Sequence, residues 1–412
     1  MLPPSVSPTN AVYPDESSLA LTAGFHRPVL KVIGMGGGGC NAVERMIELG
    51  LTGIDFIVAN TDKQALATYS APTKIQLGPN ITRGLGAGGD SRIGQLAAEE
   101  SADELAAALT GADMVFLTAG MGGGTGTGSI PVAAEIARQV GAVTIAIVTT
   151  PFSFEMGRRQ RNASEGLASL RGKTHTLIAI PNDRLLFVAP RNLPMETAFR
   201  LADDVLRQAV QGITELITEP GMINVDFAHI RRLIQLGGGA MMTIGQGAGE
   251  NKTSAALEQA LHHPLLDSVS LESAQGIIAN FTGGNRLTLF EVQEALNQLQ
   301  AETGGKTEIV MGVINDERMG DRVQIILVIT GLGSPTLEDT LINLPKVSST
   351  STQSSGAQPV SGASVTQSVP QQRSLILEPY PEPVIQHQTL EPSIVGQSLD
   401  LPAFLRRRVR SE

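Results

Sequence analysis

The 412-residue sequence has no tryptophan, three tyrosines and one cysteine, Cys40. A single cysteine excludes a disulfide framework and any zinc site built from several thiolates. It also makes a reducing compartment the natural expectation. Charge is scarce too: 17% of residues, against about 25% in an average globular chain. Lys and Arg number 30 against 40 Asp and Glu, leaving a net charge of −10. That balance argues against a general nucleic-acid binder, whose affinity rests on Lys and Arg at phosphates. No run approaches the roughly 18 apolar residues of a membrane helix, and the first residues lack the basic segment of a signal peptide. A soluble cytosolic protein is expected. Glycine, in contrast, is plentiful at 45 residues, with no Gly-X-Y period, so it belongs to loops.

The length suggests about two domains. Residues 1–27 are rich in Pro and Ser and read as a flexible arm. From Val29 short apolar runs alternate with amphipathic stretches. The runs are Val29–Ile33, Phe56–Ala59, Met114–Ala119, Val143–Val148 and Leu177–Ile180; the helical stretches are Asn41–Leu49, Gly94–Leu109 and Ile130–Val140. That alternation predicts a Rossmann-like α/β domain over 28–194, with a mostly parallel sheet covered on both faces. Ala198, Leu201, Val205, Ala209 and Ile213 then fall on one face of a long helix, 195–219, stopped by Glu219-Pro220-Gly221. Residues 220–333 carry further patterns (Ala255–Leu261, Phe290–Glu302, Ile309–Val313, Val323–Ile329) and read as a smaller α/β domain. Residues 334–397, dominated by Ser, Thr, Gln and Pro, read as a disordered linker. The last segment, 398–412, gathers Leu399, Leu401, Phe404 and Leu405 before a run of arginines, which suits a docking peptide.

Two glycine loops carry the chemistry. The first strand runs into Gly34-Met-Gly-Gly-Gly-Gly-Cys-Asn41 and then a helix. Bare glycines let backbone N–H groups approach an anion at a helix N-terminus, although a tight strand-to-helix turn explains the same residues. The second loop is harder to dismiss. Gly120-Met-Gly-Gly-Gly-Thr-Gly-Thr-Gly128 places six glycines in nine residues, an entropic cost that a simple turn does not require. A nest of N–H groups around phosphate oxygens does require it, with the Thr125 and Thr127 hydroxyls as extra donors. Two such loops from different strands favour a polyphosphate mononucleotide over a dinucleotide, which leaves an NAD-dependent dehydrogenase without a use for the second. A Walker loop is excluded: Gly172-Lys-Thr174 and Gly305-Lys-Thr307 lack the preceding glycine, with Leu167 and Gln300 in its place.

These loops, with Asn60-Thr-Asp62, Gly84-Leu-Gly-Ala-Gly88, Pro151-Phe-Ser-Phe-Glu155 and Asn224-Val-Asp-Phe-Ala228, resemble the FtsZ family of tubulin-like cell-division GTPases. The likeness runs over 28–333 and returns at Asp400–Arg406. It implies a tubulin-like fold and GTP as ligand, with Mg2+ accompanying it and no dedicated metal site. It assigns Gly37, Gly38, Gly39, Cys40 and Asn41, with Gly124, Thr125 and Gly126, to the phosphates. Glu155 and Arg159 fall near the ribose, Phe199 and Asp203 at guanine, and Ala87-Gly88-Gly89 by the terminal phosphate. On their own, Glu155 and Arg159 also read as an i,i+4 surface pair, and Asp203 and Asp204 as the wet side of a helix.

The same likeness implies a hydrolytic site completed between subunits, with Asp226 on the loop 220–230 positioning water; Asp226 equally suits a helix cap. It implies head-to-tail homopolymers, a ring at mid-cell, and tail docking to membrane tethers and assembly regulators, so that membrane contact is indirect. The arginines after Phe404 read either as a solvated tail or as a contact to acidic lipid. His229 departs from the pattern, which carries a second Asp there. An imidazole supplies no second fixed negative charge, so a GTP-binding filament with weak or no hydrolysis stands as the alternative.

Overall fold

A computed structural model describes residues 27–332, apart from 156, 186–193, 220, 264–265 and 267–270. Residues 1–26 of the arm expected at 1–27, the linker expected at 334–397 and the tail peptide at 398–412 lie outside the described residues.

The first half runs β1 (Leu30–Met35), α1 (Gly36–Glu48), β2 (Asp55–Asn60), α2 (Lys63–Thr68), β3 (Thr73–Gln76), α3 (Pro79–Thr82), α4 (Ser91–Glu100), α5 (Ala102–Leu109), β4 (Met114–Gly120), α6 (Thr125–Gln139), β5 (Val143–Thr150), α7 (Arg158–Arg171), β6 (Thr176–Pro181) and α8 (Asn182–Leu185). The long helix α9 (Met195–Thr218) leads to α10 (Phe227–Gln235), β7 (Gly239–Ala248), α11 (Lys252–Leu261), β8 (Gly276–Gly283), α12 (Leu289–Glu302), β9 (Glu308–Asn315) and β10 (Arg322–Leu332). The strands form one sheet in the order β3-β2-β1-β4-β5-β6-β7-β10-β8-β9. Through β6 every pairing is parallel. A short parallel pairing of Leu177 and Ile178 with Gly239 and Ala240 then carries the sheet into a mixed C-terminal part.

Parallel strands covered by helices on both faces bury every side chain, which is why their sequences read as apolar runs. All eight residues of β5 are buried. Val32, Phe116 and Ile145 point to a core shared with α1 and α9, while Ile33, Leu117 and Ala146 point to a core under α4 to α7. A third core lies between the C-terminal strands and α11 and α12. Helix α9, roughly 36 Å long at ~1.5 Å per residue, buries Ala198, Val205, Ala209 and Ile213 as the periodicity predicts. Its Gly212 lies against Ile326 of β10 and its carbonyl accepts from Asn280 Nδ2 of β8 at 3.1 Å. Thus the helix joins both parts of the sheet.

Three expectations need correction. The helix expected over Gly94–Leu109 is two helices, broken at Ser101. Its backbone leaves the helical region (φ −100°, ψ 22°), and its hydroxyl accepts from Gly78 N–H and donates to the Gln76 carbonyl, which ties the break to the end of β3. Helix α1 begins at Gly36, inside the glycine run, rather than at Asn41. Strand β7 escapes the apolar pattern because Gly245 and Gly247 let α11 lie directly on it. A Cβ at either would come within 1.9 Å of a helix carbonyl.

The crossing of α4 and α6 uses the same device. A Cβ on Gly128 would sit 1.9 Å from the Ser91 carbonyl oxygen and 2.6 Å from Gln95 N. Backbone atoms cannot swing aside as a side chain can. Gly128→Ala is therefore expected to cost about 3 kcal/mol, seen as a lower urea midpoint. An unchanged midpoint would show that the helices separate freely.

Candidate functional site

The sheet order reverses between β1 and β4: from β1 the chain builds outward through β2, and from β4 it builds the other way. Ligands of open α/β sheets sit outside the carboxyl ends of strands at such a point. Parallel register aligns Gly34 with Thr118 and Met35 with Ala119, so the two glycine loops leave the sheet side by side. They touch backbone to backbone. A Cβ on Gly36 (φ +67°) would meet Gly126 N at 2.6 Å, and one on Gly39 would meet the Thr118 carbonyl oxygen at 2.2 Å.

Helices α1 and α6 start from these loops, and neither has a side-chain cap or an acidic residue in its first turn. Asp62, Asp90, Asp226 and Thr288 cap α2, α4, α10 and α12, while α3, α5, α7, α9 and α11 carry no side-chain cap either. What sets α1 and α6 apart is that both start from glycine loops lining one cavity. Two helix N-termini with uncapped N–H groups border one cavity of about 400 Å³, lined by Gly37, Gly38, Asn41, Gly124, Thr125 and Gly126. Uncapped N–H groups and two positive dipole ends make an anion site.

The far end of the cavity suits a purine. Asp203 and Phe199 of α9 line it, with Glu155, Arg159 and Asn182. The Phe199 ring meets Phe152 edge-on at 5.4 Å, and Phe152 stacks on Phe154 at 5.1 Å. Burial pushes the Asp203 carboxyl up to about 7, with Arg200 and Arg45 pulling it down and Asp204 pushing it up. Asp204 itself turns away, accepting from Arg207 Nε at 2.8 Å and Gln208 Nε2 at 2.5 Å. Glu155 accepts from Phe152 N–H at 3.0 Å and pairs with Arg159. The i,i+4 pair therefore forms, with both members in the cavity wall.

Two family models match the chain: the GTPase domain of the Tubulin/FtsZ family over residues 29–190, and the C-terminal domain of the FtsZ family over 238–333. An FtsZ dimer structure from M. jannaschii is 42% identical, with a TM-score of 0.73 over 78% of this chain and 93% of that one. The chain belongs to the FtsZ family. CetZ2 of Haloferax volcanii, a GTPgS-bound protofilament, shares the fold at 19% identity and a TM-score of 0.65, over 76% of this chain and 96% of that one. As an FtsZ-family member the chain is a tubulin-type, filament-forming GTPase.

Within this FtsZ-family cavity, some sequence expectations shift. Gly39 and Cys40 do not line it. The Cys40 thiol turns into the core toward the Gly34 and Ala59 carbonyls, and burial pushes it up to about 12, so it stays protonated. Thr127 is also buried, and its Oγ1 accepts from Gly122 N–H at 2.8 Å, bracing the loop rather than facing the cavity. Asp62 is spent on capping α2 and Asn60 accepts from Asp62 N–H. The loop at Ala87–Gly89 abuts the phosphate loop: a Cβ on Gly124 would meet Ala87 Cβ at 2.9 Å.

Three residues were missed. Asn182, at the end of β6, is buried in the wall with its Oδ1 unbonded, ready for a base N–H. Tyr69 donates to Asn41 Oδ1 at 2.9 Å, which leaves the Asn41 amide N–H groups for the cavity. Thr61 reaches Thr125. Strand-end position points to Asn182; nothing local marks Tyr69.

Asp226 and His229 are exposed and do not line this cavity. Their loop is pinned to β9, with Met222 N–H on the Val313 carbonyl and Val313 N–H on the Ile223 carbonyl. Asp226 caps α10 through Oδ1, which accepts from Ala228 N–H at 2.9 Å. Its other oxygen faces no bonded group among the described residues.

Proposed function

We propose that this chain binds GTP in the cavity at the β1/β4 switch point and hydrolyses it when a second copy stacks head to tail. The observation that carries the reading is the pairing of two uncapped helix N-termini with Asp203 in one cavity. The N–H groups suit a polyphosphate. A carboxylate can accept from guanine N1–H and the 2-amino group together, donors that adenine does not present in that arrangement. Glu155 and Arg159 border the ribose between them.

Hydrolysis needs a water-positioning group, and the two carboxylates in the described cavity wall, Glu155 and Asp203, are taken up in this reading by the ribose and the base. The exposed Asp226 supports a site completed between subunits: its loop projects from the C-terminal part of one copy toward the nucleotide of the next. A heterologous contact that does not close gives an open filament, so GTP would hold the joint and its loss loosen it. Among the described residues no group of three His, Cys, Asp or Glu side chains could hold a metal. Mg2+ accompanying GTP would be carried mainly by phosphate oxygens and water, where it would neutralise charge on the leaving diphosphate. In this reading the polymer forms the division ring at mid-cell, and Asp400–Arg406 docks to membrane tethers and regulators.

The test is sedimentation with phosphate release, in GTP and in GDP, across protein concentrations. GTP should pellet polymer, and turnover per chain should rise above the assembly concentration. Turnover that is the same in dilute protein would count against the shared site; polymer without phosphate would favour the non-hydrolysing alternative raised by His229. Removing residues 398–412 should leave both readouts intact and abolish co-sedimentation with a membrane tether.

A further inference from the structure

Thr61 follows β2 and is fully buried, at 0% exposure. Its hydroxyl lies 2.6 Å from that of Thr125, the first residue of α6 and part of the cavity wall. The Thr61 carbonyl accepts from Gly86 N–H at 3.3 Å. One buried residue thus ties the hydroxyl of a cavity-lining residue to the loop that abuts Gly124. Gly36, at φ +67°, leaves the room: a Cβ there would meet that of Thr125 at 3.3 Å.

The direction of the hydrogen bond follows from proton counting. Each hydroxyl has one proton to give, and an ionised phosphate oxygen only accepts. Without ligand, either threonine can donate across the 2.6 Å contact. Once Thr125 gives its proton to a phosphate, the contact survives only if Thr61 is the donor. We infer that Thr61 is a positioning residue: its hydroxyl donates to Thr125 Oγ1, fixes that rotamer and commits the Thr125 proton to the bound phosphate. The inference rests on reading the cavity as the GTP site.

Thr61→Val keeps the β-branched shape but has no proton to donate, while Thr61→Ser keeps the proton and loses a methyl. GTP affinity should fall about tenfold in the valine variant, the scale of one hydrogen bond, and stay within about twofold of native in the serine variant. Should the valine variant fail to fold, Thr61→Ala against Thr61→Ser makes the same comparison. A double-mutant cycle separates positioning from packing. In a Thr125→Val background, Thr61→Val should weaken GTP no further, because its target is gone. Losses that simply add would overturn the inference, as would native affinity in Thr61→Val beside weakened binding in Thr125→Val. Native affinity in Thr125→Val would instead overturn the phosphate reading of the loop.

Discussion

Asp226→Ala should bind GTP as the native chain does, lose turnover by about 10²–10⁴-fold, the usual scale for a proton-handling or water-positioning group, and form longer-lived polymers. Three roles are distinguished by this outcome: helix cap, pocket residue and hydrolytic group. As a cap, Asp226 accepts a single hydrogen bond from Ala228 N–H, and losing it costs about 1 kcal/mol, too little to unfold the chain. As part of the nucleotide pocket it has no role, since it does not line the cavity. Only as a group reaching the neighbouring subunit's phosphate does its loss affect turnover more than binding. Mixing makes the point sharper. Asp226→Ala has a sound pocket and a damaged loop, whereas a variant damaged at Asp203 has the reverse. Copolymers should recover part of the GTPase, because half of the mixed joints pair a sound pocket with a sound loop. Recovery that never exceeds the sum of the separate activities would place hydrolysis within one chain. His229, in the first turn of the same helix, offers a graded version: His229→Asp restores a negative charge there and should raise turnover if that charge helps orient water.

The cavity was legible where the sequence departs from ordinary cost. Glycines at 120–128 make sense only if backbone must approach something, and the structure shows what: Gly36 against Gly126, Gly128 against Ser91, Gly39 against Thr118. Some of these glycines line the cavity and others face protein, and the spacing does not separate the two. Gly39 and Cys40 fell on the protein side for that reason. Thr127 was misread on the same ground, because one turn of helix decides whether a hydroxyl meets solvent or the Gly122 N–H. The residues that went unseen act across long separations: Tyr69 reaches back to Asn41, and Thr61 across to Thr125. Such pairs are products of strand order, which places β2 beside β1 and β1 beside β4, and no local pattern encodes them. Strand β7 was hidden by the glycines that let α11 pack on it.

GTP affinity should rise with pH between 6 and 8, by about tenfold, and level off above. The cause is Asp203, whose carboxyl is pushed up to about 7 by burial in the cavity wall. Guanine presents two donors to it, and only the ionised carboxylate offers an acceptor to each. The protonated acid would set its own O–H against one of them. Each pH unit below the pKa leaves a tenfold smaller competent fraction, so apparent affinity falls by the same factor. The same carboxyl, raised from 3.8 to about 7 in the folded chain, binds a proton that the unfolded chain has already lost. The protein without nucleotide therefore loses stability as pH climbs from about 4 to 7 and levels off above, and GTP should restore most stability at the upper end. Calorimetry in buffers of different ionisation enthalpy should find up to one proton released per GTP bound near pH 6. Asp203→Asn removes the titrating group and turns an amide N–H toward the guanine donors. Two charge-assisted hydrogen bonds at ~1.5–3 kcal/mol each set the scale, so GTP should weaken by about 100-fold or more, with ATP nearly unaffected. The part of the pH dependence that comes from the base pocket should vanish in that variant, and measuring with the GTP terminal phosphate held ionised by Mg2+ isolates it. A native chain whose affinity is flat from pH 6 to 8, or that takes ATP as well as GTP, would remove Asp203 from the base-reading role.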